Sequence, residues 1–446
     1  MDCHPSSARN SHRRLILFGR YPIPGRTKTR LIPLLGEVGA AQWYRRQTEK
    51  AIGTAMENPG AYSVTFGYAG GGRDAVRRWL GHLSVHLAPQ VRGDLGRRMR
   101  HALFDALDRG HGRAVLVGTD IPQMTAGHIL AAFSALDRHE LVLGPSRDGG
   151  YWLVGLRCKA DVFQDIHWGG DKVLDQTLAA ARRQGVKVAC LQELNDIDTP
   201  ADLKDDRSWT GEAGPYLSVV IPTLNEVGSI EAAIRRARSP ECEIIVADGG
   251  SRDGTAEIAR DAGAIVLIGP PGRALQQNAG AAAARGKVLL FLHADTLLPA
   301  DYPRQVFACL MDHRVVAGAF RFKSDYDNAS MRLIEKAAQI RAALLQLPYG
   351  DQALFMPRSI FKQVGGFPVT PIAEDLFLVR RLGRLGRIRL AEGTAFTSGR
   401  RWRRIGVWRA TVINYLIAIG CFAGIEPRKL APLYRLWTDR RSAPKS

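Results

Sequence analysis

The chain has 446 residues, 46% hydrophobic and 24% charged, an ordinary globular mixture whose length suits two or three domains. Its formal net charge of +19 favours anionic partners, namely nucleotides, phospholipid headgroups or nucleic acid. Six cysteines without a CxxC pair exclude a disulfide framework and a zinc pattern and suit a reducing cytoplasm.

Residues 1–13 read as a disordered tail, polar and basic, with no apolar signal segment, and 14–207 as a first domain. A strand at 15–18 runs into a Gly/Pro loop carrying Arg26, Lys28 and Arg30. Such a loop after a strand is a phosphate cradle, although it lacks the Gly-Lys-Ser/Thr of a Walker loop; a solvated basic loop is the plainer alternative. A helix at 95–107 precedes an apolar strand at 114–117 that ends near Asp120. Strands at 141–143 and 151–156 flank Asp148 and two glycines, and a helix follows at 173–183. Asn195-Asp-Ile-Asp-Thr-Pro-Ala-Asp202 is a late acidic cluster containing Asp198; Thr199-Pro200 also reads as a helix start, which would make its acids caps. Strands alternating with helices predict a mainly parallel α/β sheet.

A polar Gly/Pro stretch places a linker at 208–215, and the pattern restarts in a second domain at 216–446. Strands are expected at 217–221, 243–247, 264–268 and 287–292, and helices at 229–238 and 255–262. Three of these strands end in polar residues: Pro222-Thr-Leu-Asn225-Glu226, then Asp248-Gly249-Gly-Ser251, then His293-Ala-Asp295. Acids at successive strand tips suit a nucleotide-diphosphate site, with one carboxylate accepting from ribose or base and another ligating Mg²⁺ or Mn²⁺. Each aspartate alone also reads as a helix cap. Further helices are expected at 331–345 and 412–425; both carry basic residues and read as buried core helices or, alternatively, as interfacial ones. The apolar stretch at 412–425 is shorter than the roughly 20 residues of a spanning helix.

Together with Gly272-Arg273-Ala-Leu-Gln-Gln-Asn-Ala-Gly280, Pro348-Tyr-Gly-Asp351-Gln352, Gly365-Gly-Phe367 and Glu374-Asp375, these motifs resemble a family 2 glycosyltransferase of the GT-A fold. The resemblance is to the radical-SAM/selenodomain-associated transferase 2 group, linked by name to arsenosugar biosynthesis, over about 217–434. It implies that Pro222, Asn225, Glu226, Asp248, Gly249 and Arg273 bind the nucleotide and that Asp295 ligates the metal, with one acid of the usual Asp-x-Asp replaced by His293. It implies a general base at Glu374-Asp375, Asp375 being favoured, because an inverting displacement needs one base opposite the leaving group. Asp351, Gln352 and Trp402 would face the acceptor. Arg400-Arg401-Trp402 resembles an Arg-Trp element in which Arg401 holds the departing diphosphate, while plain core packing is the alternative for Trp402. The first domain resembles the transferase 1 partner group, similar to phospholactate guanylyltransferase-like nucleotidyltransferases. That resemblance implies that its basic loop holds a triphosphate and that Asp120 and Asp198 hold Mg²⁺.

The expected fold is therefore α/β, two nucleotide-diphospho-sugar transferase-like (Rossmann-like, GT-A) domains with mainly parallel sheets. The expected function is metal-dependent inverting transfer of a sugar from a UDP- or GDP-sugar to a small-molecule or lipid hydroxyl, in the cytoplasm or at the inner face of the membrane. The alternatives are a nucleotidyltransferase making the sugar nucleotide, or a basic membrane- or nucleic-acid-binding module. The last predicts basic and aromatic residues along one platform, whereas here acids and glycines crowd strand tips, so no nucleic acid is expected.

Overall fold

A computed structural model of the chain describes residues 12–205 and 215–438. The chain divides into two compact units, Met1–Ala213 and Gly214–Ser446. Most of the expected tail (1–11) and of the expected linker (208–214) lie outside the described residues, whereas Arg13, assigned to the tail, already belongs to the first strand.

The first unit runs β1 (Arg13–Arg20), α1 (Ile32–Ala55), β2 (Ser63–Ala69), α2 (Arg73–Leu80), β3 (His86–Pro89), α3 (Leu95–Asp108), β4 (Arg113–Gly118), α4 (Ala126–Ala135), β5 (Leu141–Pro145), β6 (Tyr151–Leu156), α5 (Val173–Arg183), β7 (Val188–Cys190) and α6 (Pro200–Asp205). Its sheet order is β3-β2-β1-β4-β6-β5-β7, and β6 alone runs antiparallel to its neighbours. The strands expected from sequence are those with fully apolar interiors, such as β4, where Ala114, Val115, Leu116 and Val117 are all buried because helices cover both faces of the sheet.

The second unit runs β8 (Leu217–Thr223), α7 (Ile230–Ala237), β9 (Cys242–Asp248), α8 (Thr255–Asp261), β10 (Ile265–Ile268), α9 (Arg273–Ala283), β11 (Val288–Phe291), β12 (Thr296–Leu297), α10 (Tyr302–Cys309), β13 (Val315–Ser324), α11 (Ala329–Leu344), β14 (Phe355–Pro357), α12 (Arg358–Gln363), α13 (Glu374–Leu385), β15 (Arg387–Thr397), α14 (Arg400–Ile405), α15 (Val407–Phe422) and α16 (Pro427–Thr438). Its sheet order is β10-β9-β8-β11-β14-β13-β15-β12. Setting aside the short β12, both units thread their strands in the order third, second, first, fourth, sixth, fifth, seventh, with the sixth reversed. The expected α/β class with two mainly parallel sheets is what the chain adopts.

Helix α9 packs flat on the second sheet because residue 280 is glycine: a Cβ there would collide with Val220 of β8. This contact joins Val220, Ala281, Leu289 and Phe291 into one core that continues through Met356 and Phe361. Helix α15 starts five residues before its expected position, because Gly406, at φ 87, ends α14 and lets Val407 open a new helix. Among the described residues no helix is long and apolar enough to cross a membrane.

One buried carboxylate ties the first strands of the second unit together. Glu243 accepts hydrogen bonds from Ser218 Oγ (2.6 Å), Arg285 N (2.6 Å) and Gly286 N (3.1 Å). Burial pushes its carboxyl up, but the donors from Ser218, Arg285 and Gly286 outweigh that and hold it below the usual range. Glu243→Ala is expected to lower unfolding free energy at pH 7 by about 2–3 kcal/mol, since it strands buried donors. A lowered carboxylate pKa stabilises above the unfolded value and is lost as pH falls through the folded one. The gap between wild type and variant in urea denaturation therefore narrows as pH falls below the unfolded carboxylate value of about 4.3.

Candidate active sites

In the second unit the carboxyl ends of β8, β11 and β15 and the starts of α9, α13 and α14 surround a cleft of about 620 Å³, walled on one side by α15. One side of the cleft is built on strand tips. Asp295 follows β11 and is turned toward Glu226 of the β8 loop, and Nη2 of Arg400 sits between them, 2.7 Å from Glu226 Oε2 and 3.2 Å from Asp295 Oδ2. Burial raises the Asp295 carboxyl; the hydrogen bond from Arg400 opposes this, and the charge of Glu226 adds to it. Pro222 and Arg273 also line the cleft.

Three residues expected to bind nucleotide are not among those lining the cleft. The carboxylate of Asp248 is buried and turned into its own loop: Oδ2 accepts from Gly250 N (3.1 Å) and Ser251 N (2.8 Å), and Oδ1 accepts from Thr223 Oγ1 (3.2 Å) and Ser251 Oγ. Asn225, at φ 55, donates its N–H to Ser251 Oγ (2.8 Å) and accepts from Arg252 N (3.0 Å). Both residues therefore tie the loop after β8 to the loop after β9. Gly249 backs onto Pro271 and Gln276. Asp248 does not cap α8 either, which opens at Gly254; a strand-tip aspartate next to glycines finds backbone N–H groups within three residues and closes its own loop.

The other side of the cleft gathers on α13. Ala373 stands at φ 61 just before the helix, which sets Glu374 and Asp375 in its first turn. Glu374 is buried against Arg273 (3.4 Å), and burial, with the charge of Asp375, raises its carboxyl. Asp375 is half-buried and lines the cleft; its Oδ2 accepts from Gly350 N (2.7 Å) and its Oδ1 from Leu376 N (2.8 Å). A Cβ at Gly350 would come within 3.2 Å of both Asp375 Oδ2 and His293 Nε2, so glycine leaves room for the two to approach. Burial, reinforced by Arg273, lowers His293 to about 3, which keeps the imidazole neutral. Asp351 faces the cleft, whereas Gln352 does not: it is buried, donating to Phe320 O (3.0 Å) and accepting from Tyr349 N (3.1 Å). Gln352 therefore braces the backbone, a correction to its expected acceptor role. Arg401 lines the cleft, bonded to Asn414 (3.1 Å) and stacked over Tyr434 at 5.0 Å. Trp402 both lines the cleft and packs on Phe322 at 5.5 Å, so the two readings of it coexist.

In the first unit, Asp120 after β4 and Asp198 after β7 converge as expected. Lys28 Nζ bridges them at 2.7 and 2.8 Å, and Arg30 reaches Asp198 at 2.9 Å. Asp196 is a third carboxylate in reach of both. Burial raises Asp196 to about 6, with Asp120 adding to that shift and Lys28 opposing it. Arg26 is exposed. Asp202 is a helix cap, accepting from Thr199 N (2.7 Å) and Asp198 N (3.0 Å). A cleft of about 400 Å³ opens beside the cluster, lined by Arg30, Arg147, Asp148, Asp196 and Asp198. The sequence reading missed Asp196 and Arg400. Both were within quoted motifs: Asp196 alternates with Asp198 on one side of an extended segment, and Arg400 adjoins Arg401.

Asp351 supplies a pH test of this geometry. Burial raises its carboxyl to about 6, Arg341 opposes that, and the charge of Asp375 adds to it. A raised carboxylate pKa favours folding below the unfolded value and loses that advantage as pH rises through 6. Asp351→Asn is expected to be near neutral at pH 4 and to gain about 2 kcal/mol at pH 8, read by urea denaturation at the two pH values.

Comparison with known proteins bears on both units. Residues 52–170 match the family described as "Uncharacterized protein conserved in bacteria (DUF2064)", and residues 218–373 match "Glycosyl transferase family 2". The undecaprenyl-phosphate 4-deoxy-4-formamido-L-arabinose transferase of Aeromonas hydrophila is 32% identical over 151 residues, which are 30% of this chain and 46% of that protein. The chain thus spans a little under half of that relative's length. The succinoglycan biosynthesis protein ExoA of Rhizobium meliloti is 29% identical over 235 residues, 44% of this chain and 69% of that protein. Among solved structures, a putative nucleotide-diphospho-sugar transferase from Desulfovibrio desulfuricans G20 is 32% identical, with a TM-score of 0.42, covering 45% of this chain and 89% of that one. The chain therefore matches, in order, the DUF2064 family over 52–170 and glycosyl transferase family 2 over 218–373.

Proposed function

We propose that the second domain transfers a sugar from a UDP- or GDP-sugar to a hydroxyl acceptor with inversion, and that a divalent cation assists. The observation that carries this is convergence: Asp295 and Asp375, from distant parts of the chain, line one cleft together with Arg273 and Arg401. The oxygen-only donor set of Glu226 and Asp295 suits Mg²⁺ or Mn²⁺, and the guanidinium seated between them marks the place as a seat for positive charge. Those two carboxylates would hold the cation, which would neutralise charge on the diphosphate. Arg401 and Arg273 are placed to bind the same diphosphate. Asp375, half-buried at the start of α13, takes the acceptor hydroxyl proton; the acceptor oxygen bonds to the anomeric carbon as the bond from that carbon to the diphosphate breaks. Glu374 is buried on Arg273, which favours Asp375 over it as base. The acceptor is a small molecule or a lipid, the second being supported by the lipid phosphate in the name of the Aeromonas hydrophila relative. An arsenosugar-type acceptor rests on the sequence resemblance alone.

For the first domain, the convergence of Asp120, Asp196 and Asp198 with Lys28 and Arg30 supports binding of a nucleoside triphosphate with Mg²⁺, and a nucleotidyl transfer that makes the donor used by the second domain.

A screen of nucleotide sugars reading released UDP or GDP, run with Mg²⁺ and Mn²⁺ separately, tests the first reading. Asp295→Ala and Asp375→Asn are each expected to lower kcat/KM by about 10²–10⁴ with unchanged melting temperature; near wild-type turnover removes that residue from its role. The first-domain reading is tested on the full chain with a nucleoside triphosphate and sugar phosphates. Pyrophosphate should appear, and Asp120→Asn should abolish it while leaving glycosyl transfer from a supplied donor intact. Absence of pyrophosphate with every pair sinks that assignment.

A further inference from the structure

Helix α15 is apolar on both of its faces. On the inner face, Ile413, Ile417 and Cys421 are buried against Leu376, and Asn414, Ile417 and Ala418 wall the cleft. On the outer face, Trp408, Val412, Leu416, Ile419 and Phe422 remain between 45% and 61% exposed. Their spacing of four, four, three and three residues sets them in one stripe along the helix. Helix α11 packs against α15, and its Leu333, Ile340 and Leu344 are 55% to 75% exposed. Soluble proteins rarely leave apolar side chains exposed in such a continuous row unless the row binds something.

The charge around the stripe says what it binds. Lys336 on α11 and Arg428 and Lys429 at the start of α16, a helix that packs on α15, are exposed. An apolar stripe on a helix of 16 residues, too short to span and accompanied by cations, fits the interfacial layer of an anionic bilayer.

We infer that the outer face of α15, with the exposed side chains of α11, docks the chain on an anionic lipid surface. The inference deepens the lipid-acceptor reading above and rests on it only for its consequence. One helix serves both surfaces, so a bilayer held by Trp408 and Ile419 lies about one helix diameter, ~10 Å, from the cleft wall at Asn414 and Ala418. The hydroxyl or phosphate end of a membrane-borne acceptor then reaches Asp375 without leaving the headgroup layer.

The test is sedimentation of the purified full chain with phosphatidylcholine vesicles, with and without phosphatidylglycerol. The chain should pellet with the anionic vesicles, at least about tenfold more than with neutral ones, and high salt should release it. Trp408→Ser/Val412→Ser/Ile419→Ser should cut that partition at least about tenfold while leaving UDP or GDP binding, read by calorimetry, unchanged. Arg428→Glu/Lys429→Glu, which leaves α15 untouched, should weaken binding to anionic vesicles only. The inference is overturned if neither vesicle pellets the chain or if the triple variant pellets like wild type. It is also overturned if gel filtration shows a wild-type dimer that the triple variant splits, which would make the face an interface between copies. Nucleotide binding without vesicle binding removes the docking surface and leaves the transferase reading standing; vesicle binding without binding of any nucleotide does the reverse.

Discussion

In each unit a basic side chain sits between two carboxylates at the carboxyl end of the fourth strand: Lys28 between Asp120 and Asp198, Arg400 between Glu226 and Asp295. Carboxylates brought together there lose water and repel one another, and without a cation the close approach of the strand tips would be unfavourable. The internal cation lets the acids be gathered before any ligand arrives.

The same three loops meet in both units, with the charges exchanged. In the first, the loop after the first strand gives the cation and the loop after the seventh gives an acid; in the second, the first-strand loop gives the acid Glu226 and the segment after the seventh gives Arg400. The shared strand order makes these positions equivalent although the residues filling them differ. The bond partners also differ in exposure: Lys28 is 7% exposed and Arg400 is 53%. Arg400 belongs to α14, a short helix with no buried residue, so moving it disturbs little packing, whereas moving Lys28 would uncover a buried charge.

In the second unit the α13 side of the cleft is organised around backbone N–H groups. Asp375 is fixed by the N–H of Gly350 and by its own helix start, and Asp351 lies close enough to feel its charge. The wall facing these acids is α15, whose two apolar faces give the cleft a boundary on one side and an outward stripe on the other. Helix α15 is thus buried on one face and exposed on the other, because a helix that is apolar all round can bury one face and still leave the other uncovered.

Much of the plan was legible in the sequence. Apolar runs such as 114–117, 217–221 and 288–291 are strands because burial on both faces demands unbroken hydrophobic residues, and the polar residues after them lie where an open parallel sheet leaves its binding crevice. Among those polar tips, Pro222 and Asp295 line the cleft of the second unit, and Asp120 lies in the acidic cluster of the first. Mixed strands such as β13 and β15 were not legible, since exposed Arg321, Lys323, Arg387 and Arg389 interrupt their pattern. Which way a carboxylate points was also beyond the sequence. Asp248 and Asp295 end similar strands, yet glycines beside Asp248 offer it backbone N–H groups and close it into a loop, while Asp295 pairs with Arg400, 105 residues after it, which also holds Glu226, 69 residues before it. Local chemistry and periodicity set the strands and their polar tips; contacts between residues far apart in the chain decided which tips share a cleft, because only packing brings such groups within hydrogen-bond range.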